Sequence, residues 1–471
     1  MKHIELLSED IERQRDKIIR ISEQIWQYAE TRFEEYQSVE LLCRSLEEEG
    51  FAVERGVGGI ETAFIGSYGS GKPIIAFLGE YDALSGLSQL KGIARQEPVE
   101  KGGNGHGCGH HLLGSASLAA AVALKNMIEQ SGLSGTVRYY GCPGEEGGSG
   151  KAFMARAGLF DDVDFSLCWH PMDYNSIMSV STLANVQVYF RFKGKSAHAA
   201  AAPHLGRSAL DAVELMNIGA NYLREHIVQD ARLHYAITNG GGFSPNVVQA
   251  NAEVLYLIRA PQASQVQHIY NRVCDIARGA ALMTGTEVEI VFDKACSNLM
   301  PSPVLEQTMY RVFGQLGVPE FTAEELAYAA EIRTTLDEQE RAGIVVKYPG
   351  LRGKDVDDML QPYSGTEPLY GSTDVGDVSW ITPTVQCTTA CFPVGTQAHT
   401  WQWVASGATS IGHKGMLHAA KVMAATAAEL LEQPELVAMA QADLRARLGD
   451  QPYVCPIPPE IKPGANKVRV Q

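Results

Sequence analysis

Pro73-Ile74-Ile75-Ala76-Phe77-Leu78-Gly79-Glu80-Tyr81-Asp82 is an almost unbroken apolar run that ends on a glycine and two carboxylates. A strand with one wet face alternates apolar and polar residues. This one does not alternate, so it reads as a strand covered on both faces. Such strands belong to parallel sheets with helices on either side, and ligands collect beyond their C-terminal ends. Glu80 and Asp82 stand at that position. Taken alone, they read equally well as a solvated turn.

The chain downstream repeats the arrangement. Gly105-His106-Gly107-Cys108-Gly109-His110-His111-Leu112-Leu113-Gly114 is a glycine-rich loop that runs into an apolar helix, Leu112 to Gln130. In an extended loop alternate side chains point the same way, so Cys108 and His110 can reach one ion. Thiolate and imidazole are ligands that zinc favours. The alternative is a tight turn with a buried cysteine and exposed histidines. A strand at Thr136 to Tyr140 ends in Gly141-Cys142-Pro143-Gly144-Glu145-Glu146-Gly147-Gly148, before a helix from Gly150 to Ala157. A strand at Asp164 to Trp169 ends in His170. Successive strand ends thus carry Glu80/Asp82, Glu145/Glu146 and His170, with the Cys108/His110 loop between them. Alternating strands and helices predict an α/β fold with a mostly parallel sheet flanked by helices, which gathers these ends on one edge.

The texture changes at Leu183. Val186, Val188, Phe190 and Phe192 alternate with Gln187, Tyr189, Arg191 and Lys193, the pattern of a strand with one polar face. Gly194-Lys195-Ser196-Ala197-His198-Ala199 follows. Then come a helix at Ser208 to Arg224, strands at Arg232 to Thr238 and Val248 to Ile258, a helix at Ser264 to Met283 and a strand at Glu287 to Phe292. This βαββαβ order predicts an inserted α+β satellite domain over 184–295 and a discontinuous catalytic domain from 1–183 and 296–471.

Helices are expected at Asp10 to Glu34, Ser38 to Glu49, Pro303 to Leu316 and Gly415 to Glu432, the last of them the final long helix. Short strands are expected at Phe51 to Val53, Ala63 to Ile65 and Cys387 to Phe392, with His399 after the last. Residues 320–370 read as a partly irregular insertion without an assigned role. The proline-rich tail, Pro452 to Gln471, is expected to run extended over the surface.

Lys and Arg total 39 against 55 Asp and Glu, a net charge of -16. That balance argues against nucleic acid or an anionic membrane as the main partner. The nine cysteines are scattered through a long chain, several in apolar runs, as suits reduced thiols in a cytoplasmic protein. The charged N-terminus has no signal-peptide core, and no apolar run is read as approaching the ~20 residues that span a bilayer.

Cys108, His110, Glu146, His170 and His399 would offer one S, one O and three N donors. Five ligands exceed an open tetrahedral zinc site and suit two divalent ions about 3.5 to 4 Å apart with a shared ligand. Cys108 or a water is the candidate bridge. An unligated carboxylate must then accept the water's proton, and Glu145, diverging from Glu146, fits that task.

GEYDA, GHGCGH, CPGEEGG, the lone WH, GKSAHAA and GTQAHTW, in this order, resemble the cocatalytic metallopeptidase, aminoacylase and indole-acetyl-amino-acid hydrolase family over nearly the whole chain. The resemblance implies a dinuclear catalytic domain with an inserted lid or dimerisation domain. It implies Mn or Zn on Cys108, His110, Glu146, His170 and His399, with Glu145 as general base. Glu80 and Asp82 fall where other branches carry His-x-Asp, and Cys108 falls near a bridging Asp there. Glu80 and Asp82 are therefore expected to support the metal ligands. His198 matches a histidine that reaches a substrate oxygen, often across a dimer. Asn246 and Arg259 match positions that hold a substrate carboxylate, a role suited to the bidentate guanidinium.

The longer strings GEYDALSGL, GCPGEEGGSGK, ITNGGGFSPNVVQA and GSTDVGDVSW resemble the branch that splits p-aminobenzoyl-glutamate, a folate catabolite, into p-aminobenzoate and glutamate. That branch implies a homodimer or a heteromer with a homologous partner chain. Two departures stand out. Ser85 replaces a common proline, and His111 replaces Asn or Asp, where it could compete as a ligand, as could His418 for His399. Rival readings are a dipeptidase or aminoacylase on other N-acyl amino acids, a partner-dependent regulatory chain, and a hydrolase using Cys108 as nucleophile.

Overall fold

The computed structural model describes residues 2–449 and 452–464. Strands β1 (Ala52–Arg55), β2 (Phe64–Ser70), β3 (Ile74–Gly79), β4 (Gly135–Gly141), β5 (Phe165–Met172) and β6 (Ser176–Ile177) come first. A short β7 (Val180–Ser181) precedes β8 (Ala184–Lys193), β9 (Arg232–Asn239), β10 (Asn251–Ala260) and β11 (Glu287–Cys296). β12 (Glu367–Pro368) and β13 (Thr384–Ala390) complete the set, with β12 pairing β7.

The large sheet has seven strands in the order β1-β2-β4-β3-β5-β13-β6. Its centre, β4-β3-β5-β13, is parallel, whereas the edge pairings β1–β2, β2–β4 and β13–β6 are antiparallel. The sheet is therefore mixed, and its parallel character is confined to the strands that carry the covered apolar runs. Gly79 pairs with Gly141, so β3 and β4 end level with one another. Both open onto the edge where β5 delivers His170.

Behind that edge lies the helix His110–Ser131, rich in the strong helix formers Ala and Leu. It begins after Gly109 and stops at Gly132, both in the left-handed region, with the Gly132 N–H closing on the Ile128 carbonyl. By length and composition this helix is apolar enough to cross a bilayer, contrary to the sequence reading. It is instead a core helix, buried over all but its last turn against β3 and the helix Ser410–Glu432.

The satellite sheet is antiparallel, ordered β11-β8-β10-β9, and carries the helices Ala209–Leu223 and Ala263–Thr284. β9 and β11 form its two edges. Val248 to Ala250 precede β10 instead of belonging to it, and β11 runs on to Cys296.

The first helical stretch is split into Lys2–Arg13 and Arg15–Tyr28. The insertion is more ordered than its composition implies. It holds the helices Ala323–Thr334 and Glu338–Lys347, each opened by a reciprocal cap, Thr322 with Glu325 and Asp337 with Glu340. A further long helix, Pro434–Leu448, follows Gly415 to Glu432 directly, so the latter is not the final one. Residues 465–471 of the expected extended tail lie outside the described residues.

Candidate metal centre

Three parallel strands and two loops bring Cys108, His110, Glu146, His170 and His399 together. One donor atom each from Cys108, His110 and His170 lie within 4.8 Å of one another, and so do those of Cys108, Glu146 and His399. Cys108 belongs to both triads. A third set, Glu80, His110 and Glu145, shares His110 with the first.

Local hydrogen bonds orient the donors. Asp82 Oδ1 lies 2.9 Å from His110 Nδ1, which leaves Nε2 turned toward the cluster. The other Asp82 oxygen accepts from the Glu146 N–H at 2.9 Å, fixing the turn that carries Glu145 and Glu146. His170 Nδ1 donates to the Pro171 carbonyl at 2.9 Å, so its Nε2 faces Cys108 Sγ at 3.4 Å. These are the carboxylate and carbonyl contacts that fix a ligating imidazole's tautomer. Glu146 Oε1 lies 3.4 Å from His399 Nε2. His399 sits at φ 63, and its N–H donates to the Gly107 carbonyl at 2.7 Å. Non-glycine residues at positive φ are uncommon, and strained backbone gathers at functional sites.

The pocket is rich in negative charge. Glu80 and Asp374 are both buried, and Lys151, also buried, lies between them with its Nζ 2.6 Å from each. Burial would lower the His110 proton affinity, but Cys108, Asp82 and Glu80 outweigh it and hold the imidazole well above its ordinary value. Burial, reinforced by Glu80, Asp374 and Glu146, pushes Glu145 well up. Burial takes His170 down to about 4, which keeps it a neutral donor. His110 Nε2, 3.2 Å from Glu80 Oε2, and Glu146 Oε1, beside His399, are buried without a well-aligned hydrogen bond. Buried donor atoms without aligned hydrogen bonds, converging in an acidic pocket with one sulfur shared between triads, fit a pair of divalent cations.

Glu145 Oε2 is 4.0 Å from His110 Nε2 and stands outside both Cys108 triads. Among the described residues it shares a possible donor set only with Glu80 and His110, apart from the Cys108 sulfur. His111 is fully buried on the far side, its ring 4.9 Å from that of His106, and joins none of the donor sets among the described residues. His418 packs edge-on against Phe313, away from them.

The satellite residues His198, Asn246 and Arg259 join none of these donor sets. His198 is exposed, and its Nδ1 accepts from the Ala201 N–H at 3.1 Å, which places the proton on an outward Nε2. Asn246 is next to it, its carbonyl accepting from the Ala199 N–H at 2.9 Å. Arg259, on β10, donates to Ser372 Oγ at 2.8 Å, while its Nε is buried and unpaired. Burial lowers its proton affinity, with Cys296 and Glu145 acting in the opposite sense.

The sequence reading missed Lys151 and Asp374. Each lies in a string that had been singled out, GCPGEEGGSGK and GSTDVGDVSW, but their pairing across 223 residues leaves no local trace.

Residues 76–442 match the model of peptidase family M20/M25/M40. The chain is 54% identical over 474 residues, 98% of each chain, to the B chain of the p-aminobenzoyl-glutamate hydrolase of Escherichia coli (strain K12). It is 30% identical over 257 residues, 51% of this chain and 57% of the other, to the A chain of the same organism's hydrolase. Its fold is that of the Bacillus subtilis YXEP protein, a dinuclear metal-binding peptidase from the M20 family (TM-score 0.57, 17% identity, 89% of this chain and 99% of that one).

Proposed function

The chain belongs to peptidase family M20/M25/M40, and from that premise we propose that it hydrolyses p-aminobenzoyl-glutamate to p-aminobenzoate and glutamate. The observation that carries this reading is Cys108, shared by two donor triads, with the Glu145 carboxylate alongside and outside both of them. We assign Cys108, His110 and His170 to one divalent cation and Cys108, Glu146 and His399 to a second, with Mn or Zn as the candidates.

When bound, such a pair acidifies a water and polarises the carbonyl of the scissile amide. Glu145 accepts the proton of the attacking water and passes it to the amide nitrogen as the C–N bond breaks. Asp82 supports both His110 and the Glu146 turn, and Glu80, held by Lys151, walls the other side. Residues 184–295 act as the lid of a catalytic domain formed by 1–183 and 296–471. From the lid, Arg259 and Asn246 hold the glutamate carboxylates, and the outward Nε2–H of His198 meets the substrate oxygen.

The open edge β9, with Tyr235 and Ile237 exposed, and the exposed Ile218 and Tyr222 on the neighbouring helix Ala209–Leu223 form the face for a partner chain. That partner is a second copy, giving a homodimer, or the homologous A chain of a heteromer. An unpaired edge beside exposed apolar side chains supports an interface of this kind.

The test is hydrolysis of p-aminobenzoyl-glutamate by the chain loaded with Mn or Zn, beside Glu145→Gln. The expected result is release of p-aminobenzoate, with kcat in Glu145→Gln lower by about 10²- to 10⁴-fold at unchanged metal content. Wild-type rates in Glu145→Gln would remove the general base. A metal-loaded chain that leaves this substrate intact would move the activity to another acyl group or to an enzyme of two different chains.

A further inference from the structure

Thr31-Arg32-Phe33-Glu34-Glu35 joins the second helix to the third and supplies none of the donors above. Arg32 is only 7% exposed, and guanidinium groups are almost never so buried unless paired. Its Nη1 donates to the Gly147 carbonyl, in the turn that carries Glu145 and Glu146. Nη1 and Nη2 also donate to Asp293 at 3.3 and 3.0 Å. Asp293 lies on β11 of the satellite sheet, and Gln187 of β8 donates to it at 2.7 Å. One side chain thus grips the general-base turn and the last satellite strand together.

The local backbone is shaped for this contact at both ends. Along β11, Phe292 pairs with Val188 and Lys294 with Gln187, so Asp293 is the extra residue of a bulge. A bulge breaks the strict alternation of a strand and re-aims a side chain, here onto Arg32. At the other end, a Cβ on Gly147 would lie 3.3 Å from Arg32 Cδ, tighter than ordinary packing. Glycine lets the guanidinium reach the turn's carbonyl. Beside it, Glu35 Oε1 accepts from the N–H groups of Phe33 and Gly144, each at 2.9 Å, so the segment holds the turn from two points.

We propose that Arg32 is a positioning residue that couples the satellite sheet to the Glu145 turn. The satellite carries His198, Asn246 and Arg259, so a shift of the substrate-facing residues reaches the general base through one guanidinium. This coupling does not depend on which amide is cleaved.

Hydrogen exchange of the full chain tests it without a substrate. The segment to follow is 141–150, in the wild type, Arg32→Ala, Arg32→Lys, Asp293→Asn and the double variant Arg32→Ala/Asp293→Asn. Asp293→Asn is isosteric and lies on the other sheet. It is expected to raise exchange in 141–150 about tenfold or more, as is Arg32→Ala, and the double variant no further than either. Arg32→Lys, which keeps the charge but loses the fork, should fall between. Wild-type protection of 141–150 in Asp293→Asn would overturn the proposal. So would additive effects in the double variant, or an equal rise in the core helix 110–131, which would reduce the contact to general stability.

Discussion

The two halves of the candidate site are built differently. In the candidate metal cluster the His110 ring is held by Asp82 and the His170 ring by the Pro171 carbonyl, while the exposed His399 ring faces Glu146 and its backbone N–H is anchored on the Gly107 carbonyl. His198 and Asn246, by contrast, sit exposed on the satellite, in two loops bonded to each other and away from the Cys108 triads. The difference teaches where rigidity is needed. Cation ligands must converge within a few tenths of an ångström, so buried partners hold them. Residues that meet a substrate or a partner chain must first let it in.

The largest effect that would break this contrast is expected at Asp82. Asp82→Asn keeps the shape but weakens the acceptor on His110 Nδ1 and on the Glu146 N–H. Metal affinity should fall about 10- to 100-fold, read by titration against a competing chelator. An unchanged affinity would mean that the cluster is not held by its orienting carboxylate. On the satellite side, Arg259→Ala and His198→Ala should leave metal content untouched and act on substrate alone. Loss of a charge-assisted contact at Arg259 should raise KM about 10- to 100-fold. Loss of metal in either variant would erase the distinction between the halves.

A smaller effect separates the scaffold from both. Glu35 is buried beneath the Glu145 turn, and burial, with Asp82 adding to it, pushes its carboxyl up from 4.5 to about 8. A raised carboxyl is neutral in the folded protein and free to ionise once unfolded. Its contribution is therefore complete below about pH 4.5 and lost as pH rises through about 8. Glu35→Gln keeps the acceptor for Phe33 and Gly144 while removing the titration. Thermal unfolding should show the variant gaining on the wild type between about pH 5 and about pH 8. A constant difference across that range would mean that Glu35 is already solvated.

Much of this was legible in the chain because the informative residues cluster. The apolar run into Glu80 and Asp82 marks a covered strand, and the period-2 stretch from Val186 marks the satellite sheet. Glycine-framed carboxylates and histidines at strand ends mark the cluster, since a parallel centre delivers strand ends to one edge. What stayed hidden is long-range. The antiparallel edges depend on which strand finds which neighbour. Lys151 reads as a surface lysine until Glu80 and Asp374 close on it. Arg32 sits in an ordinary interhelical loop, and only the bulge at Asp293 gives it a partner. The core helix His110–Ser131 looks short of a membrane span because its serines and histidines interrupt the apolar count, although most of their side chains are buried.

The most direct test of the shared-sulfur centre is metal stoichiometry by elemental analysis after Mn or Zn loading, in the wild type, His170→Ala, His399→Ala and Cys108→Ala. His170 and His399 each belong to one Cys108 triad, whereas Cys108 belongs to both. The expected result is about two ions per chain in the wild type, about one in each histidine variant and close to none in Cys108→Ala. Two ions retained without Cys108, or a histidine variant that loses both, would contradict a dinuclear centre hinged on that sulfur.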